Sequence, residues 1–130
     1  MTRTTSEFEI QAWQDTPYPD QADGSKLSRA TVKKSFKGEL EGTSTAEVLM
    51  HAGQDGPATY IAWEQVEGRI GDRRGTFTIQ HGGIRHQGGQ KAFGHVVPGS
   101  GTNELQGLRG LAEYSHDEKG ATLTLDYYFE

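Results

Sequence analysis

Polar and apolar residues alternate at every second position along most of this chain. That period belongs to extended strands, whose successive side chains face opposite ways. Phe8, Ile10 and Ala12 alternate with Glu7, Glu9 and Gln11, which predicts a first strand ending near Trp13. Further strands are predicted over residues 27–38, 40–52, 58–68, 75–82, 91–97, 111–115 and 121–129. Glycine-bearing turns separate them at 53–56, 71–72, 88–89 and 117–120, and a loop rich in Pro, Asp and Gly is expected over 15–26. The 18 glycines among 130 residues are about twice the usual share, as tight turns and bent sheets require. No convincing amphipathic helix emerges. The expectation is one all-β domain over residues 1–130, an up-and-down antiparallel barrel of about eight strands, closed so that no sheet edge is exposed.

Composition narrows the function classes. With no cysteine, disulfides, thiolate nucleophiles and zinc ribbons are excluded. No apolar run is long enough to span a membrane, and the first residues, MTRTTSE, lack the apolar stretch of a signal peptide, so a cytoplasmic, soluble protein is expected. The net charge of -5 and the scattered basic residues argue against a nucleic-acid partner. The densest basic patch, Lys33, Lys34 and Lys37, reads as a solvated face at a strand edge.

Two strand segments place an ionisable group inside an apolar stripe. Glu64 shares a face with Tyr60, Ala62 and Val66, and His81 with Phe77 and Ile79. On the inside of a barrel these two would form an acid/base pair in an oily cavity, provided no bulge reverses the face and turns Trp63 and Gln65 inward. On the last strand Leu123, Leu125, Tyr127 and Phe129 share one face, so Tyr127 would bring a phenol donor to the same space. Glu64, His81 and Tyr127 are thus the candidate catalytic residues. Phe36, Met50, Tyr60, Phe77 and Ile79 are the candidate ligand wall. A bound metal is not expected: His81, His86 and His95 lack a His-x-His pair on one strand face, and His86 falls in a turn. The segment VPGSGTNELQGLRG ends in neither a P-loop Gly-Lys-Ser/Thr nor a helix, so its glycines read as a structural turn rather than a phosphate cradle.

From Lys26 onward the chain resembles a bacterial family known as domain of unknown function 3224. The resemblance rests on KLSRATVKKSFKGELEGTSTAEVLM, WEQVEG, TIQHGG, VVPGSGTNELQGLRG and TLDYYFE. Such proteins look like allene oxide cyclase barrels, a fold shared with the dirigent proteins. The resemblance implies a chamber that holds a reactive molecule and steers its ring closure or coupling. It supplies no catalytic residue, so Glu64, His81 and Tyr127 stand on alternation alone.

The leading expectation is a barrel that binds an apolar small molecule and, without a cofactor, isomerises or cyclises it in the lumen. Glu64 and His81 would move protons. The same residues also fit a non-catalytic carrier, or an oligomeric scaffold whose lumen is filled by its own side chains. A homo-oligomer is expected in each case: related barrels associate through outer faces, and apolar residues outside a barrel must be covered.

Overall fold

The computed structural model describes residues 1–130. Its strands are β1 (Thr2–Pro17), β2 (Lys26–Gly38), β3 (Leu40–Ala52), β4 (Ala58–Ile70), β5 (Arg73–His86), β6 (Gly89–Val96), β7 (Leu108–Asp117) and β8 (Gly120–Phe129). Neighbours in sequence are neighbours in space, every pair is antiparallel, and β1 pairs with β8 from Thr2↔Tyr127 to Phe8↔Ala121 to close the barrel. One 3-10 turn, Asn103–Leu105, is the sole helical element, and no helix is long and apolar enough to cross a membrane.

The strands are longer than their alternation indicates. β1 runs to Pro17 instead of stopping near Trp13, and β5 continues from Gly82 to His86. Ladder hydrogen bonds to a neighbouring strand hold these polar extensions in place, and such pairing is invisible in a single segment. A register shift in β1 lies between Ile10 and Ala12, so that Trp13, and not Ala12, pairs with inward-facing Val32. By contrast, β4 pairs without a break with both β3 and β5. The alternation of β4 therefore holds along its whole length, and Trp63 lies outside, half exposed.

The two ends of the barrel are packed differently. One end is filled by a cluster that includes Phe36, Leu40, Val66, Phe77, Ile79, Leu105, Leu123 and Leu125. Leu105 enters it from the 3-10 turn and is fully buried. The connection carrying Leu105 lies flat on β5, where Thr102 N donates to Thr76 O at 2.9 Å. This approach depends on Gly75, because a Cβ there would sit 2.1 Å from the Thr102 carbonyl oxygen. The glycine-rich segment read as a structural turn is thus the floor of the barrel. Towards the other end the inner wall is built from smaller residues: Ala30, Val32 and Ala46, with Val48 and Met50 half buried against them.

Gly75→Ala should therefore destabilise the fold by more than about 2 kcal/mol, since backbone has to move to admit the methyl. Gly89→Ala, where a Cβ would meet nothing closer than 3.6 Å, should be neutral. Urea unfolding of the two variants beside the parent checks the contrast.

Candidate functional site

Between the filled end and the small-residue end lies a layer of polar side chains organised by Glu64. Alternation along β4 turns Glu64 inward with Ala62 and Val66, and it has no solvent exposure. A lone ionised carboxylate in such a place costs several kcal/mol, so donors must converge on it. Four do. Oε1 accepts from Lys34 Nζ at 3.1 Å, His81 Nε2 at 2.9 Å and the Tyr114 hydroxyl at 2.8 Å, while Oε2 accepts from Ser44 Oγ at 2.6 Å. The donors stand on β2, β5, β7 and β3, so five of the eight strands meet at one carboxylate.

These partners set the charge of the site. Burial alone would push the Glu64 carboxyl up, but the His81 hydrogen bond, the Lys34 charge and the Ser44 and Tyr114 hydroxyls outweigh it and lower it to about 2. Glu64 is thus an anion at neutral pH. Burial pushes the Tyr114 phenol well above its ordinary value, and the adjacent carboxylate pushes it the same way. The Lys34 ammonium lies 4.9 Å from the centre of the Phe8 ring and 4.7 Å from that of Tyr114. Those ring faces complete its shell where water is excluded.

An ionised carboxylate only accepts, so the proton on His81 facing it is carried by Nε2. In the neutral tautomer with the proton on Nε2, Nδ1 is the acceptor for the Tyr60 hydroxyl, 3.2 Å away. The imidazole is held by stacking on Tyr114, ring centres 4.2 Å apart, and by the edge of Tyr60. Glu64, His81 and Tyr60 form a chain from the buried interior to a half-buried phenol. Burial, and then the Glu64 charge, raise the Tyr60 phenol too, so it rests protonated as a donor. This order of groups is the one by which a carboxylate orients an imidazole and the imidazole prepares a hydroxyl for proton transfer.

The other candidates separate. Met50 and Tyr60 lie on the inner wall among the small residues, partly exposed. Phe36, Phe77 and Ile79 belong to the filled end and are at most 3% exposed. Tyr127 packs against that same cluster, edge-on to Phe129, and its hydroxyl does not bond to the Glu64 layer. Ser44 and Tyr114 are not among the sequence candidates, and Lys34 stands there only as part of a basic patch. Lys34 corrects the expectation of a solvated basic face: it is 8% exposed and points inward with Val32 and Phe36. The signal was present, since Ala30, Val32, Lys34 and Phe36 alternate, but a lysine is read as surface unless its partner is known. A groove of about 420 Å³ crosses β4, β5 and β6. Outward-pointing Thr59, Ile61, Ile84, Lys91 and Phe93 make up most of its lining, so it belongs to the outer wall.

Glu64→Gln should cost about 3–5 kcal/mol, because the Lys34 charge would remain buried without its counterion. Lys34→Met with Glu64→Gln should recover much of that loss, which chemical denaturation of the two variants measures. The pH dependence follows from the lowered folded-state value. Stability from Glu64 is fully present above the ordinary carboxylate range and is lost as pH falls toward about 2, on the order of 3 kcal/mol in all. Acid unfolding should therefore steepen below about pH 4 in the parent and flatten in the double variant.

Residues 4–128 match the family described as "Protein of unknown function (DUF3224)". No curated protein matches the chain. Among solved structures, the barrel is similar to the crystal structure of a protein with unknown function from the DUF3224 family of Shewanella oneidensis MR-1. That similarity has a TM-score of 0.89 and 36% sequence identity, and covers 100% of this chain and 98% of that one. A match over nearly the whole length, by sequence and by fold, makes this chain a member of the DUF3224 family.

Proposed function

We propose that the protein binds an apolar small molecule at the small-residue end of its barrel and moves a proton within it through Tyr60, His81 and Glu64, without a cofactor. The observation that carries this reading is the chain of hydrogen bonds from fully buried Glu64 to partly exposed Tyr60. The Tyr60 oxygen takes a proton from the bound molecule as its own proton passes to His81 Nδ1. The imidazolium so formed faces the Glu64 carboxylate. Return of a proton at a second position gives an isomer, and return after bond formation gives a ring. Met50 would serve as apolar wall beside the reacting group. A cofactor-free chamber that steers an isomerisation or ring closure is what the resemblance to allene oxide cyclase barrels implies.

A second reading, the carrier or filled scaffold, is favoured by one observation: no buried side-chain nitrogen or oxygen lacks a hydrogen-bond partner. In that case the Glu64 layer only fixes the register of five strands.

An apolar ketone with acidic α-protons, 2-tetralone, separates the two by exchange in deuterated buffer followed by proton NMR. Catalysis predicts exchange well above the buffer rate and a loss of about a hundredfold in Tyr60→Phe, the usual weight of one positioned acid/base group. Exchange at the buffer rate, or exchange unaffected by Tyr60→Phe, overturns the catalytic reading. If 2-tetralone then shifts the amide signals of Met50 and Tyr60 without exchanging, the barrel is a carrier; if it shifts nothing, it is a scaffold.

A further inference from the structure

The outer wall of β3 to β7 carries a concentration of exposed apolar side chains. Leu49, Ile61, Trp63, Ile84, Phe93 and Leu111 are each 43–57% exposed. The strand register draws them together. Leu49 pairs with Ile61, Ile61 with Gly82, and Gly82 with Phe93, forming one row across four strands. The next row on the same face runs Trp63, Gln80, His95 and Leu111. The Phe93 ring lies against Gly82, where a Cβ would come within 2.7 Å of it, so the first row is closed and flat.

We infer that this face binds a second copy of the chain, packed wall to wall about a two-fold axis. Three features favour a copy over any other occupant. The first is area. The six side chains expose on the order of 600 Å² of apolar surface, at the top of what a monomer usually shows in one patch. With a polar rim, that reaches the roughly 800 Å² each partner contributes to a stable pair.

The second is charge. Neither row between β4 and β6 contains Lys, Arg, Asp or Glu, although the chain carries 13 basic and 18 acidic residues. Charged neighbours stand only at the border, Glu47 opposite Trp63 and Lys91 opposite Ile84, so two copies with a net charge of -5 meet with fewest opposing carboxylates along the β4 to β6 rows.

The third is shape. Sheets stack face to face at about 10 Å when their side chains interdigitate. The 420 Å³ groove between the Ile61–Phe93 row and Ile84 supplies a hollow, and Trp63, beside it on the same wall, is the bulkiest side chain available to fill the partner's hollow. A two-fold axis makes both insertions at once.

Sedimentation velocity of the full chain at micromolar concentration tests the inference. The expected mass is twice the 14.3 kDa of one chain. Trp63→Glu and Phe93→Glu should each return the 14.3 kDa species with an unchanged circular dichroism spectrum. Ile10→Glu, which replaces an equally exposed apolar residue on β1, should leave the pair intact. In a Trp13→Phe background the emission of Trp63 should move to the blue as concentration rises. A monomer throughout, a mass other than twice the chain, or a pair that survives both substitutions overturns the inference.

Discussion

A carboxylate with no access to water is the constraint around which the barrel is organised. Glu64 stays ionised only because a lysine, an imidazole and two hydroxyls reach it from four other strands. An acceptor of this kind has about four lone-pair positions; here three donors converge on Oε1 and one on Oε2. Such a centre adds little net stability, since removing the charges from water offsets most of what pairing returns. It acts by penalising every alternative. A one-residue slip of β4 would carry Glu64 outside and strand the Lys34 ammonium in the core, so the layer fixes the register of the strands that meet there.

The Glu64 layer also divides the barrel. On one side, Phe36, Phe77, Ile79, Leu105 and Leu123 fill the lumen and are at most 3% exposed. On the other, alanines and valine replace them, and Met50 and Tyr60 are partly exposed. The division makes a filled floor beneath a mouth lined by smaller side chains. The His81 ring, held between Tyr114 and Tyr60, connects the two, with one nitrogen turned to the buried carboxylate and the other to the phenol. An apolar molecule entering the small-residue side would meet one hydroxyl supported by hydrogen bonds down to the base of the layer.

The outer surface follows a different logic. A closed barrel has no free edge to manage, so its outward positions need only be compatible with water. Across β3 to β7 they are not: a tryptophan, a phenylalanine, leucines and isoleucines stand in adjoining rows with glutamine and histidine between them. The remaining outward positions, Glu47, Thr59 and Lys91 at the border of this patch among them, hold mostly Thr, Glu, Gln and Lys. The contrast between faces, more than the presence of exposed apolar residues as such, distinguishes this wall.

Alternation by itself determined the strand class, the meander order and the inward faces of β4, β5 and β8. Each of those strands keeps period two without a bulge across its core positions, so parity counted from one residue holds for the rest. The family was equally legible, in the VVPGSGTNELQGLRG segment and its neighbours. The tertiary structure alone decided which polar residues meet. Lys34, Ser44 and Tyr114 have the parity of inner-face residues, but their side chains are read as solvated until a buried acceptor is known, and that acceptor lies 20 to 50 positions away in sequence. It also decided that Phe36, Phe77 and Ile79 fill the lumen while Tyr60 faces its mouth. Inward parity is the same for all four, and only the tilt and stagger of closed strands say how far along the axis each one sits.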